Sequence, residues 1–321
     1  MRGLARSVSN VLAALVLAVL AYIAVGGAMT AIFGTPNPRG QYYDIGGRRL
    51  HMLCLGPPAG AAPTALLESG AFGFSADWGA VQDALARQGV RSCAYDRAGL
   101  GFSDPGPRPR DSMAIVGDLE KLLSASGEKG PFVLVGHSMA GLHLRLFAAR
   151  NPTEVAGVVL VDATTPEDMD APMMSRFVKT FSGLSQLAAA GAGAGLFKPL
   201  IYTGFGDKIG LAGQAKSEKR WAFASARHNR WSAEEVRLWP RDARQARQAG
   251  ALDPSWPVAV VLAGGRRGEF ARLREAPARA SRDGFVEHVE GSDHSTVLGP
   301  AFSGAIVRAV EHVRAAHQPK G

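Results

Sequence analysis

The sequence predicts an α/β fold: a mostly parallel central sheet with helices on both faces and a helical insertion over one end. Three observations carry this. From residue 41 onward, short strand-like runs alternate with helix-like stretches, the pattern of βαβ units. Two runs, 132–135 and 155–161, are apolar almost without a break, as strands buried on both faces are. Between about residues 163 and 253 the alternation stops, and the segment is helical, Trp-, Phe- and Met-bearing and interrupted by AAAGAGAG. A long strand-free insertion between two core strands reads as a lid.

Each element has a local reason. Residues 41–45 and 49–55 flank Gly46-Gly47 and read as a hairpin. Residues 64–69 form a short strand, 78–88 carry helical spacing, and 90–95 are the next strand. A helix occupies 112–124, with Asp111 or Ser112 placed to cap it. After the strand at 132–135 come a helix over 139–150 and the strand at 155–161. Beyond the insertion, 258–263 and 284–289 are strands and 305–316 is a closing helix.

The chain of 321 residues can bury a full core. Its net charge of +8 comes mostly from scattered arginines, with no dense basic block carrying interleaved aromatics, so nucleic acid is not the expected partner. An anionic membrane surface suits such a charge better. Residues 11–34 contain no charge and come after Arg2 and Arg6. About 20 apolar residues cross a bilayer as a helix, so residues 1–34 are read as an uncleaved membrane anchor. A cleavable signal segment, with Gly26 and Ala28 as its small-x-small site, is the alternative, giving a secreted or periplasmic protein. Residues 35–40 (TPNPRG) are a linker, and 41–321 form the folded domain. Positive charge on the short N-terminal side keeps that end in the cytoplasm and exports the rest. Two cysteines, Cys54 and Cys93, either pair in that oxidising location or act as small buried apolar residues. No Cys/His cluster suggests a metal.

The chemistry concentrates at VLVGHSMAG (133–141), where a strand meets a helix through a sharp turn. This is the setting of a nucleophile elbow, with Ser138 as the nucleophile. Small residues are needed two before and two after it, and Gly136 and Ala140 stand there. A serine hydroxyl needs a base to take its proton. Of the eight histidines, His294 lies on a loop between the last strand and the closing helix. His51 and His143 sit inside a strand and a helix and read as packing or surface residues. His137 would point away from the serine and pack, and His228 in the lid would face solvent, with a substrate contact as the alternative. His288 lies on a strand, and His312 and His317 lie on the closing helix or tail.

The pieces LLESGAFGFSADW (66–78), CAYDRAGLGFSDPGPRPR (93–110), VLVGHSMAG, VVLVDAT (158–164) and VEGSDHSTVLG (289–299) stand in the order of the α/β-hydrolase superfamily. The chain resembles its exported or membrane-anchored bacterial members with a Gly-His-Ser nucleophile. The resemblance implies His294 as the base and two oxyanion donors, the amides of Met139 and of Ala71 after Ser69-Gly70. It implies an acid in one of two places. Asp162 stands directly after the 155–161 strand, whereas after 258–263 the turn GGRRG offers none until Glu269. Asp162 is preferred and Glu269 is the alternative acid. Glu68 reads as a structural hydrogen-bonding group with a catalytic role left open, and the loop 96–103 (DRAGLGFS) as structural and beside the active site. In this fold the strands holding Cys54 and Cys93 are neighbours, so the pair could form a disulfide.

The implied function is hydrolysis of a small-molecule carboxylic ester, or a small amide, through an acyl-enzyme, with no cofactor and no metal. A perhydrolase or carbon–carbon hydrolase shares the same triad. A hydrolase-like protein that binds a ligand without turning it over is the reading from another class.

Overall fold

The computed structural model describes residues 2–60, 62–265 and 268–317. Arg266 and Arg267, shortly before Glu269 in the sequence, and the last residues of the 41–321 domain lie outside them. Helix α1 (Arg2–Phe33) opens the chain, and its Ala5–Met29 stretch is long and apolar enough to cross a membrane. Strands β1 (Gln41–Asp44) and β2 (Arg49–Leu55) form the expected hairpin, with β3 (Thr64–Glu68) next in the chain. Then come α2 (Gly79–Arg87), β4 (Ser92–Tyr95), α3 (Ser112–Ser126) and β5 (Phe132–His137). Helix α4 (Ala140–Arg150) and β6 (Val155–Val161) complete the first half. The insertion contributes α5 (Pro172–Gly193), α6 (Gly213–Ala224) and α7 (Ala226–Gln248) and no strand among its described residues. Strand β7 (Val258–Ala263), helix α8 (Glu269–Ala280), β8 (Gly284–Val289) and α9 (Ser303–His317) close the chain.

The strands join one eight-stranded sheet in the order β1-β2-β4-β3-β5-β6-β7-β8. Strands β1 and β2 are antiparallel to their neighbours, and the rest run parallel. Alternation along the strands feeds two cores. Leu67, Val133, Val159 and Val261 pack with Val81, Leu85, Ile306 and Val310 of α2 and α9. Leu66, Leu134, Val158 and Val260 pack on the other face with Val116, Leu119, Leu144 and Phe147 of α3 and α4. Each fully buried Val or Leu stabilises the fold by roughly 1.5–3 kcal/mol. A third cluster seats the insertion on the elbow helix, bringing Met139 and Leu142 against Met174 and Val178 of α5 and Val236 and Trp239 of α7.

Asp111 is the N-cap of α3, its carboxylate accepting from the Ala114 amide at 3.1 Å. Cys54 and Cys93 occupy opposed positions of the antiparallel β2–β4 ladder and are joined as a disulfide. Helix α8 lies outside the elements expected from sequence. EFARLREAPARA consists mostly of helix-forming Ala, Arg, Glu and Leu, and Pro277 in its interior is the contrary signal. Packing places Ala271 and Ala278 in the core beside β7.

Candidate active site

The parallel strands end together, and the segments just beyond their carboxyl ends build the site. After β5 the chain reverses at Ser138, which has φ 58°. The Ser138 carbonyl accepts from the amides of Gly141 at 3.2 Å and Thr164 at 2.8 Å, and its own amide donates to the Val161 carbonyl at 3.1 Å. The turn is thereby over-determined from two neighbouring segments. Three non-glycine residues among the described ones have positive φ: Phe72, Ser138 and Asp162. Ser138 and Phe72 line one cavity, and Asp162 bonds to a histidine of that cavity. Such conformations cost of order 1–3 kcal/mol each and persist where surrounding structure imposes them.

His294 lies on the loop after β8. Its Nε2 is 2.9 Å from Ser138 Oγ, and its Nδ1 is 2.5 Å from Asp162 Oδ2. Asp162 is fully buried, whereas the His294 side chain is partly open to the cavity. The carboxylate fixes the tautomer in which Nδ1–H donates to it and Nε2 is free to accept from the serine. Glu269, the alternative acid, is instead the exposed first residue of α8. Asp162 comes directly after β6, beside the elbow.

Both expected oxyanion donors stand at this end of the sheet. Met139 is the N-cap of α4, so its amide belongs to the first-turn donors that lack a helical partner. Ala71 lines the cavity with Gly70 and Ser138. Gly70 must be glycine, since a Cβ there would lie 2.7 Å from Ser138 Cβ and 3.1 Å from His137 Nδ1. Arg97 holds this loop from behind. Its Nη1 donates to the Ser69 carbonyl at 2.5 Å and its Nη2 to the Gly70 carbonyl at 2.9 Å. The same guanidinium pairs with Glu68 at 2.7 Å and with Glu235 of α7 at 2.8 Å, all buried. Glu68 thus makes the structural hydrogen bonds expected of it, to Arg97 and His143. Burial pushes its carboxyl up, but the His143 hydrogen bond and the Arg97 charge outweigh this and hold it below its ordinary value.

Two histidines differ from the sequence expectation. His137 does not merely pack away from the serine. Its ring lies 4.5 Å from that of His294, and its Nε2 donates to the His294 carbonyl at 2.8 Å. Burial, with the neighbouring His294 as the second cause, lowers its pKa to about 3, so it stays neutral. His228 faces the interior rather than solvent. Its Nδ1 accepts from the Gly101 amide at 3.0 Å, and burial with the nearby Lys219 charge depresses it to about 3. His51 and His143 are buried and paired, with Asp96 at 3.1 Å and Glu68 at 3.3 Å. Outside the site, His288 pairs with Glu275 and His312 with Asp283.

Arg274 of α8 has no counterpart among the residues the sequence singles out. It donates to Asp162 Oδ1 at 2.8 Å and to the Asp162 carbonyl at 2.9 Å. It lies 112 positions from its partner on a helix without a clear signature, so no local pattern could have marked it.

The cavity over Ser138 and His294 has a volume of about 810 Å³. Its walls are largely apolar and include the rings of Phe72, Phe177, Phe181, Trp239 and Phe270, with Lys219, Asp77 and Arg274 as polar points. Lys219 pairs with Asp77 at 2.8 Å.

Comparison with known proteins agrees with this architecture. A protein of Hormonema carpetanum named "Probable transporter efuK" is 37% identical over 136 residues, covering 41% of this chain and 19% of that protein. An uncharacterized Schizosaccharomyces pombe protein is 29% identical over 202 residues, covering 60% of this chain and 35% of its own length. The chain therefore spans only about a fifth and about a third of these two curated relatives. The solved structure of a "putative epoxide hydrolase" from Pseudomonas aeruginosa superposes with a TM-score of 0.67 at 19% identity, over 89% of this chain and all of that one. At that identity the likeness concerns the fold. Residues 63–298 match the family described as the alpha/beta hydrolase fold, a span that contains the elbow, Asp162, Arg274 and His294. The chain belongs to the α/β-hydrolase family.

Proposed function

We propose that the protein is a serine hydrolase acting on carboxylic esters. The reading rests on one observation above the others: Ser138 Oγ, on a strained elbow, lies 2.9 Å from a histidine that is bonded at 2.5 Å to a buried carboxylate. In this reading His294 Nε2 takes the Ser138 proton as Oγ attacks the ester carbonyl. The amides of Met139 and Ala71 stabilise the oxyanion, each worth roughly 3–4 kcal/mol. His294 returns the proton to the leaving alcohol, leaving an acyl group on Ser138. A water, deprotonated by His294, then releases the acid. The aromatic walls favour an apolar acyl group. Relatives that open epoxides use a carboxylate nucleophile, and a hydroxyl stands in that place here.

The same reading keeps α1 as an uncleaved anchor with the hydrolase domain outside the cytoplasmic membrane. Gly26, part of the alternative cleavage site, is buried against the insertion. A Cβ there would lie 2.5 Å from Pro199 Cδ and 2.8 Å from Lys198 Cβ, so the helix is shaped to meet the domain. The test is fluorophosphonate labelling of the full chain and then a panel of chromogenic esters of graded chain length. Ser138 is expected to carry the label, and Ser138→Ala to abolish both labelling and hydrolysis. A folded protein that neither labels nor hydrolyses any ester would overturn the reading.

A further inference from the structure

We propose that the outer face of α5, together with Phe205, docks on the lipid bilayer, so that acyl esters resident in the membrane reach Ser138 from the lipid side. The substrate class in this proposal rests on the ester hydrolase reading, but the docking surface does not.

The observation is where apolar surface is left uncovered. Outside α1, nine large apolar side chains are exposed among the described residues, and six of them lie between residues 173 and 205: Met173, Phe177, Leu184, Leu187, Leu196 and Phe205. Monomers seldom leave such a cluster open without a use for it. On α5, Met173, Phe177, Leu184 and Leu187 are 68%, 51%, 58% and 70% exposed. At about 100° per residue they fall within an arc of about 80°. The opposite face, with Met174 and Val178, packs against Val236 and Trp239 of α7. The helix is therefore apolar on both sides, and burial in the protein accounts for only one of them.

Two further facts select a bilayer as the occupant. The stripe is continuous with the membrane helix. Just beyond the end of α5, Pro199 and Lys198 meet Gly26 of α1, and Gly195 meets Ile23. A helix that crosses the membrane thus brings this corner of the insertion to the lipid surface. The charge is also complementary. Arg176 and Lys179 stand exposed on one flank of the stripe, where anionic headgroups would lie. The stripe leads to the reacting serine, since Met173, Phe177 and Phe205 are both exposed and part of the cavity wall around Ser138.

The test uses the full chain in proteoliposomes of phosphatidylcholine and phosphatidylglycerol. An environment-sensitive fluorophore on Leu187→Cys should be quenched by lipids brominated in the acyl chain and shielded from aqueous iodide. The reverse result overturns the docking surface, whether or not the protein is an esterase. Leu184 and Leu187 lie outside the cavity wall, so L184Q/L187Q should leave hydrolysis of soluble p-nitrophenyl butyrate unchanged. Hydrolysis of vesicle-embedded p-nitrophenyl palmitate should fall at least about ten-fold, since two leucine contacts with lipid are lost and one alone is worth about that much. Equal rates on both esters, or an equal loss on both, overturns the delivery of substrate from the bilayer. If the wild type hydrolyses neither ester, the esterase reading fails while the quenching result still decides the docking surface.

Discussion

Arg274 grips Asp162 from the side away from His294, donating to its Oδ1 at 2.8 Å and to its backbone carbonyl at 2.9 Å. Arg274 Nε also lies 3.3 Å from the buried Asp168. The acid that meets the histidine is thus fixed by a cation that shares its charge. In Arg274→Met, the carboxylate loses the cation that fixes its direction towards His294. With the acid less well aimed, kcat should fall about ten-fold, equivalent to about 1.4 kcal/mol, while KM changes little. Arg274→Lys should restore part of the loss. Wild-type kcat in Arg274→Met would show that the pair only packs.

Which carboxylate serves His294 is tested by two isosteric changes. Asp162→Asn removes the acceptor of the Nδ1 bond, favours the wrong tautomer and should lower kcat by about 10⁴-fold. Glu269→Gln, at the exposed start of α8, should leave kcat within about two-fold, since surface changes away from a site have small effects. Steady-state kinetics on any ester found in the panel decides it.

The Glu68–Arg97–Glu235 cluster carries more weight for stability than for solubility. Its side chains are only 1–2% exposed. Removing the guanidinium in Arg97→Met leaves two buried carboxylates without their cation and should cost about 3–5 kcal/mol in denaturant unfolding. It also frees the Ser69 and Gly70 carbonyls, so kcat should fall more than KM rises. A variant of wild-type stability would show that water replaces the ion pairs.

Asp242 on α7 gives the fold a pH dependence of its own. Burial raises its pKa to about 7, while an unfolded aspartate titrates near 3.8. The folded state therefore binds this proton more tightly, and the stability it brings is lost as pH rises from about 4 through 7. Asp242→Asn should remove that slope, gaining of order 3 kcal/mol relative to wild type between pH 5 and pH 8. Parallel slopes for the two proteins in urea melts across this range would refute the assignment.

The disulfide closes a loop between Cys54 and Cys93, 39 positions apart. Replacing both cysteines by serine should cost about 3–4 kcal/mol, mainly by releasing the unfolded chain. Thermal melts with and without reductant should show the same loss in wild type and none in the variant.

The residues themselves determined the fold class, the elbow and the place of His294 in the chain order. An apolar run with period two, a glycine turn and a run with period 3.6 are local patterns, so β5, Ser138 and α4 could be located from sequence alone. His294 was legible because it lies on a loop after the last strand, a position defined by chain order. The questions that chain order left open were decided by distance in space. Asp162 and Glu269 each come after a strand, and only the packing of β6 beside β5 brings one of them to His294. The same holds for Arg274, for His137 against His294, for Glu235 on Arg97 and for the buried face of His228. Each pairs residues from separate elements that only the packing of the chain brings together. The exposed stripe on α5 belongs to the same class. Its spacing is visible in the sequence, but only the packing of the opposite face on α7 showed which side remained uncovered.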